Sequence, residues 1–305
     1  LFGAAFDQDD KWGKSRYEPT NLKFCKSVFA IDGMLFSMGT NIEAKGTYPD
    51  DYITATNLFQ SVMSKDCKTL IVDGQKIEKG EEKIIGAEKS VWIVAPTTTG
   101  YYIPEGHDKL IIRHNEQETP SSAGMAAEFG KEIVSKAYLE HGVKPEKSAY
   151  HFLTVPAVMP EQMKEIAGKQ EAGALFEVMT EQDSLHIVKY HPTSTTAYTF
   201  FAPATGLTCG TVRASATELL VMEQFDKNNN KLELAICNPN LRPETIHKNY
   251  WHTKATPMAV ELQGKWKVTA GKDVPGLTIE QNNAGNTVLK AKLTEGNPIY
   301  VTLEK

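Results

Sequence analysis

Nowhere does the chain reach the roughly 18 consecutive apolar residues that a membrane-spanning helix needs, so it offers no candidate span. Basic residues are in short supply: 33 Lys and Arg stand against 38 Asp and Glu, for a formal net charge of -5. A nucleic-acid binder ordinarily carries the opposite excess, which removes nucleic acid from the candidate partners. A polyanion has only a local basic patch to bind. Cysteine is scarce too. Cys25, Cys67, Cys209 and Cys237 include no Cys-x-x-Cys pair, which argues against structural zinc. Buried free thiols are the expectation, and any disulfide pairing stays open. There is no Gly-x-Ser-x-Gly nucleophile elbow, no Gly-x-Gly-x-x-Gly and no phosphate loop. The chain opens on Leu1 rather than Met, and "LFGAAF" lacks the charged n-region of a signal peptide. It reads as a fragment or a processed product.

Helical signal is sparse as well. "MPEQMKEIAGKQEAG" places Pro160 in a first turn, Met163, Ile166 and Ala167 at helical spacing, and Gly173 at the end. A second stretch, "SSAGMAAEFGKEIVSKAYLEHG", is helical by propensity, but Gly124 and Gly130 weaken it. Its part from Ile133 to Leu139 reads equally well as extended. What fills the rest is strand. "KSVFAIDGMLFSMG" and "KTLIVDGQKIEKG" each carry an Asp-Gly hairpin signal, at Asp32-Gly33 and Asp73-Gly74. "SVWIVAPTTTGYYIP", "KLIIRHNEQ", "SLHIVKYH", "AYTFFAP", "ELLVMEQFDKNNNKLELAICNP", "MAVELQGKWKVT", "NTVLKAKL" and "PIYVTLEK" continue the pattern. Short strands about ten residues apart, with turn residues between them, predict an all-β protein of packed sandwiches. The helix at Met159 marks the boundary. Residues 1–158 are expected to form one β domain and residues 159–305 a smaller antiparallel β-sandwich.

Three stretches carry a resemblance. "LKFCKSVFAIDGMLFSMGTNI", followed by "TNLFQ", resembles a segment of the family 8 polysaccharide lyases, which include chondroitin and hyaluronate lyases. "YLEHGVKPEKSAYHFLTVP" is similar to the same family's "HG-P-ASY-Y--LP" element, and "LELAICNPNLRP" with "GKW" after it to the closing sandwich of the chondroitin ABC type. The likeness runs from about Asn21 to the end. It implies the C-terminal part of a central supersandwich, then a smaller β-sandwich. It also implies β-elimination at a hexuronic acid of chondroitin sulfate, dermatan sulfate or hyaluronan, by a secreted or periplasmic bacterial protein. That chemistry needs the carboxylate charge neutralised, a general base and a general acid. The family's His, Tyr and Arg for this work belong to a helical domain, and its Glu lies further upstream of Lys26 than this chain extends. The resemblance therefore assigns no catalytic residue here. The missing N-terminal and helical domains become the implied partners of a scaffold and cleft wall.

His141 ends a strand beside Gly142, with Val143 to Lys147 as the turn and Tyr150 to Val155 as the next strand. That structural role is preferred to a general base. "DKNNNKLE" starts like a calcium loop at Asp226, Asn228 and Asn230, but Lys231 and Cys237 stand where Gly and Glu belong, so a polar hairpin turn is expected. "DQDDKWGKSRYE" offers Asp7, Asp9 and Glu18 but puts Trp12 at the glycine position. No cofactor or metal site is identified, though a complete enzyme has room for calcium or magnesium elsewhere. His247 and His252, five apart on one strand, would face opposite ways. Trp92, Trp251 and Trp266 are expected to pack in the core. Sulfated glycans need cations and aromatic faces, and Lys11, Trp12, Lys14, Arg16 and Tyr17 form the densest such cluster. Trp12, Lys14 and Arg16 are the candidate carbohydrate contacts, against the plainer reading of a solvated loop. A non-catalytic carbohydrate-binding or adhesion sandwich and a purely scaffolding protein are the rival readings.

Overall fold

Asp32 and Gly33 both hold positive φ, at 52° and 73°, and Asp73 and Gly74 do the same at 49° and 79°. Two successive left-handed residues are the signature of the type I′ turn, whose twist matches the strands it joins. Both Asp-Gly pairs therefore reverse the chain as their chemistry predicts. The computed structural model describes residues 1–8, 21–64, 67–119, 130–240, 243–247, 250–253, 255–271, 274 and 276–305. Its first half runs β1 (Phe2–Asp7), β2 (Leu22–Ile31), β3 (Met34–Ala44), β4 (Thr54–Val62), β5 (Ile71–Val72), β6 (Gln75–Lys76), β7 (Glu81–Ile85), β8 (Val91–Val94), β9 (Gly100–Ile103), β10 (Lys109–Thr119), β11 (Gly130–Gly142), β12 (Ser148–Val155) and α1 (Pro160–Glu171). Its second half runs β13 (Phe176–Gln182), β14 (Leu185–Tyr190), β15 (Thr195–Phe200), β16 (Val212–Ser215), β17 (Leu219–Asp226), β18 (Lys231–Cys237), β19 (Pro243–His247), β20 (Tyr250–Thr253), β21 (Thr256–Leu262), β22 (Lys267–Ala270), β23 (Thr278–Gln281), β24 (Thr287–Leu293) and β25 (Ile299–Glu304). The all-β expectation holds, with a single helix among the described residues.

The chain divides into two compact units. One comprises residues 6–24 and 30–173, the other residues 1–5, 25–29 and 174–305. In the first, the larger sheet runs β3-β12-β9-β8-β5-β6 and is joined by a four-stranded sheet, β4-β11-β10-β7. Their inner faces share one core: Ile42, Ile93, Ile103 and Phe152 from the larger sheet meet Phe59, Leu110, Ile112 and Leu139 from the smaller. The alternation in β10 shows why. Leu110 and Ile112 point inward while Arg113 pairs outward across the register with Lys136, since side chains on a strand repeat with period two. The stretch from Ile133 to Leu139 lies within β11, so β pairing with β10 and β4 overrides its helical propensity.

The helix forms where its signals stand. Pro160 opens it, and Gln162 Oε1 accepts the Met159 N–H at 3.0 Å, which satisfies one of the donors a helix start leaves free. Gly173, at φ 68°, follows its end. Met163 and Ala167 are buried, and the helix rests on β8 and β9, within the first unit.

In the second unit a seven-stranded sheet, β13-β14-β15-β17-β18-β25-β22, pairs its inner face with the sheet β16-β21-β24-β23. Ile187, Tyr198, Val221, Leu234 and Leu303 pack against Val260, Leu262, Leu289 and Trp266. Trp266 is in the core as expected, whereas Trp92 is half-buried and the Trp251 side chain lies outside the described residues. All four cysteines are free, but only Cys25 is buried; the other three are half-buried, because they sit near strand ends and turns rather than mid-sheet.

Candidate functional site

Buried polar centres at His141, His186 and Glu223, and one cationic surface, carry titratable chemistry among the described residues. The first centre is His141. β11 carries it to the end of the four-stranded sheet, and the chain turns and returns as β12, as the turn residues predict. Its Nδ1 meets Asp108 Oδ2 at 2.5 Å, its Nε2 meets Thr56 Oγ1 at 2.8 Å, and its ring stacks on Tyr150 at 6.1 Å between centroids. Carboxylate, imidazole and hydroxyl stand in the order that activates a nucleophile. However, the His141 side chain is only 1% exposed, so no substrate reaches it. The same bonds satisfy a polar group that would otherwise be costly to bury. Tyr150 joins the centre through Thr56, and burial pushes its phenol up to about 12. It therefore remains a neutral hydroxyl at any ordinary pH. His141 is a cross-strand fastening.

The second centre pairs Ser27 Oγ with His186 Nδ1 at 2.7 Å, both groups fully buried, with Phe201 edge-on to the imidazole. Burial lowers the His186 pKa to about 4. The third lies inside the second sandwich. Tyr198 donates to Glu223 Oε1 at 3.0 Å and the Thr211 N–H donates to the same oxygen at 2.7 Å. Burial raises the Glu223 carboxyl above its ordinary range, against the pull of those donors. These centres are sealed and have no open approach for a polymer.

The cationic surface lies on the four-stranded sheet. Arg113 Cζ sits 6.0 Å and Lys136 Nζ 5.7 Å from the ring centroid of Tyr138. Glu82 pairs with Arg113 at 2.7 Å. Neither "KLIIRHN" nor "VSKAYLE" announces this cluster. Only the register that sets Arg113 opposite Lys136 brings the two cations together.

Several sequence candidates resolve differently. Trp12, Lys14 and Arg16, with the rest of the Lys11 to Tyr17 cluster, lie outside the described residues, as do Asp9 and Glu18. Asp226 is a turn residue: its Oδ1 accepts the N–H groups of Asn228 and Asn229, and its Oδ2 accepts Asn229 Nδ2, between β17 and β18. Its carboxylate is thus occupied by the hairpin. His247 and His252 do not share one strand as expected. They lie on separate strands, β19 and β20, which pair antiparallel with Glu244 opposite His252 and Tyr250 opposite His247. Among the described residues, no group of three or more His, Cys, Asp or Glu is arranged to hold a metal ion, and no helix is long and apolar enough to cross a membrane.

Comparison with known proteins decides the family. The profile of polysaccharide lyase family 8, super-sandwich domain, matches residues 2–167, more than half of the chain. The chain belongs to polysaccharide lyase family 8. Chondroitin sulfate ABC endolyase of Proteus vulgaris is 26% identical over 267 residues, covering 86% of this chain and 24% of the relative. Chondroitin sulfate ABC exolyase of the same organism is 23% identical over 290 residues, covering 88% of this chain and 27% of the relative. This family 8 chain thus spans about a quarter of the length of these curated relatives. Among solved structures, a Paenibacillus xanthan lyase superimposes with a TM-score of 0.74 at 15% identity, covering 99% of this chain and 27% of that one. A chondroitinase AC lyase does so at 0.69 and 17% identity, covering 98% of this chain and 38% of that one. These two likenesses establish the shared β-sandwich fold.

Proposed function

We propose that this chain is the β-sheet portion of a lyase that cleaves chondroitin or dermatan sulfate, and hyaluronan as a further substrate, by β-elimination at hexuronic acid. The match of residues 2–167 to the lyase super-sandwich carries the reading. In this reaction a base removes the proton from the carbon beside the uronate carboxylate. The electron pair forms the new C=C bond, the glycosidic C–O bond breaks, and an acid protonates the leaving oxygen. A positioned donor or cation offsets the charge that builds on the carboxylate. The His141, His186 and Glu223 centres are sealed, and an exposed imidazole–carboxylate pair, His191 Nε2 with Glu177 Oε2 at 3.0 Å, lies on the closing sandwich. The reading therefore gives catalysis to upstream helical and N-terminal segments and makes this chain a rigid scaffold and cleft wall.

Residues 1–158 end the central supersandwich and residues 159–305 form the closing sandwich, in a secreted or periplasmic bacterial protein. Trp12, Lys14 and Arg16 contact the glycan, since they combine cations with an aromatic face. One observation favours a second reading, a non-catalytic carbohydrate-binding module. Tyr300 is 68% exposed and lines an open groove of about 290 Å³ with Met222, Thr195 and Thr302. The ultraviolet absorbance of the unsaturated uronate tests both. The complete protein is expected to release it from chondroitin sulfate, and the 305-residue chain alone to release none. Product from the chain alone overturns the scaffold assignment, and no product from the complete protein on any uronate polysaccharide overturns the lyase reading.

A further inference from the structure

The outward face of the sheet β4-β11-β10-β7 presents an unbalanced cation pair. Register places Lys136 opposite both Arg113 and Gln60, and Tyr138 opposite both Ile111 and Asn57, so these side chains share one face. The other face, with Leu110, Ile112, Ala137 and Leu139, fills the core. Tyr138 lies low between strands, 9% exposed, and both cationic heads converge on its ring. Arg113 has Glu82 as its partner, whereas Lys136 makes no ion pair among the described residues. Burial first, and then the Arg113 charge, hold the Lys136 ammonium below its usual range, and the nearby Glu82 carboxylate offsets only part of this. Two like charges meeting over one ring repel each other, and the ring's negative face offsets that only in part. An anion seated between them would remove the imbalance. The ring and the sheet already order both heads, so a ligand does not have to immobilise them. Asn57 and Gln60 are exposed alongside and offer amide donors and acceptors of the kind that bond sugar hydroxyls. The chain as a whole carries -5, so its overall field repels polyanions and any anion must be captured at a local cationic spot.

We infer that this face is a docking site for an anionic oligosaccharide, with a sulfate or carboxylate held between Lys136 and Arg113 and adjoining hydroxyls on Asn57 and Gln60. The choice of ligand rests on the polysaccharide reading above; the site itself rests on the geometry of the sheet.

The test titrates the 305-residue chain calorimetrically with size-defined chondroitin sulfate and hyaluronan hexasaccharides, at low and at physiological ionic strength. Lys136→Gln and Arg113→Gln are each expected to weaken binding about three- to fivefold, the scale of one partly exposed ion pair, and the double variant about tenfold or more. Lys290→Gln, which removes a lysine paired with Glu280 on the other sandwich, is expected to bind like the parent. Lys136→Met keeps the aliphatic stem over Tyr138, so its loss of affinity at an unchanged melting temperature separates charge from packing. Equal affinity for both hexasaccharides makes the carboxylate the seated group, and preference for the chondroitin probe makes it the sulfate. Absence of binding by the parent chain, or titration of the Lys136 and Arg113 variants alongside the parent, overturns the inference. Either result leaves the lyase reading standing, because that is judged separately by unsaturated product from the complete protein.

Discussion

Glu223→Gln separates a buried proton from a buried shape. Glu223 lies on the inner face of β17, 2% exposed; Oε1 accepts from Tyr198 and Thr211, and Oε2 has no hydrogen-bond partner among the described residues. Burial raises its carboxyl above the ordinary 4.5, so the folded chain binds that proton more tightly than the unfolded chain does. The sign follows directly. Below the ordinary value both states are protonated and nothing is lost. As pH climbs from there toward the raised value, the unfolded state ionises first and stability falls. Above the raised value the loss stops growing. The slope for one proton is at most about 1.4 kcal/mol per pH unit. Glutamine keeps the acceptor at Oε1 but puts an unpaired amide nitrogen where Oε2 was, at a pH-independent cost of about 1–3 kcal/mol.

The variant should therefore melt below the parent near pH 4 and gain on it steadily as pH rises through the window. Each kcal/mol moves the melting temperature of a unit of this size by about 2–4 °C. Scanning calorimetry of both proteins from pH 4 to pH 8 reads the difference, in which every other titrating group cancels. A difference that stays constant across that range refutes the buried proton.

His186, fully buried with a pKa of about 4, contributes stability that is complete above the ordinary 6.5 and is lost as pH falls toward 4. The loss is roughly 3 kcal/mol; His186→Gln should flatten this acid limb in urea melts, and an unchanged limb contradicts it. His141→Ala leaves Asp108 and Thr56 without their shared partner and should lower stability by about 2 kcal/mol, with the yield of unsaturated product from the complete protein unchanged. A collapse of product formation at normal stability would give His141 a chemical role after all. Gly39→Ala sets a Cβ 2.2 Å from Tyr150 Cε1, which forces the stacked Tyr150 and Phe152 rings to shift. Overpacking of this kind costs about 1–3 kcal/mol, and a melting temperature equal to the parent's would show that the ring moves freely.

Local sequence information reaches only as far as a turn, a helix end or a strand. The Asp-Gly turns, the helix behind Pro160 and the alternating strands follow from backbone chemistry and burial over a few residues. Each appears where the sequence places it. His247 and His252 look locally like members of one strand but stand on two antiparallel ones, opposite Tyr250 and Glu244, a pairing that the short stretch of sequence does not reveal. His141 shows the opposite case. Its turn was legible, while Asp108 and Thr56, 33 and 85 positions away in the chain, were not.

By itself, then, the amino-acid order determined the fold class, the turns, the helix that opens at Pro160, the anionic balance and the resemblance to the family 8 lyases. Tertiary structure alone decided which strands became neighbours, and with that the sealed His141, His186 and Glu223 centres and the meeting of Arg113 and Lys136 over Tyr138. The reason is physical. A period of two tells a side chain which face to take, but its partner on that face depends on register between segments far apart in sequence. That register is set by the whole core closing at once.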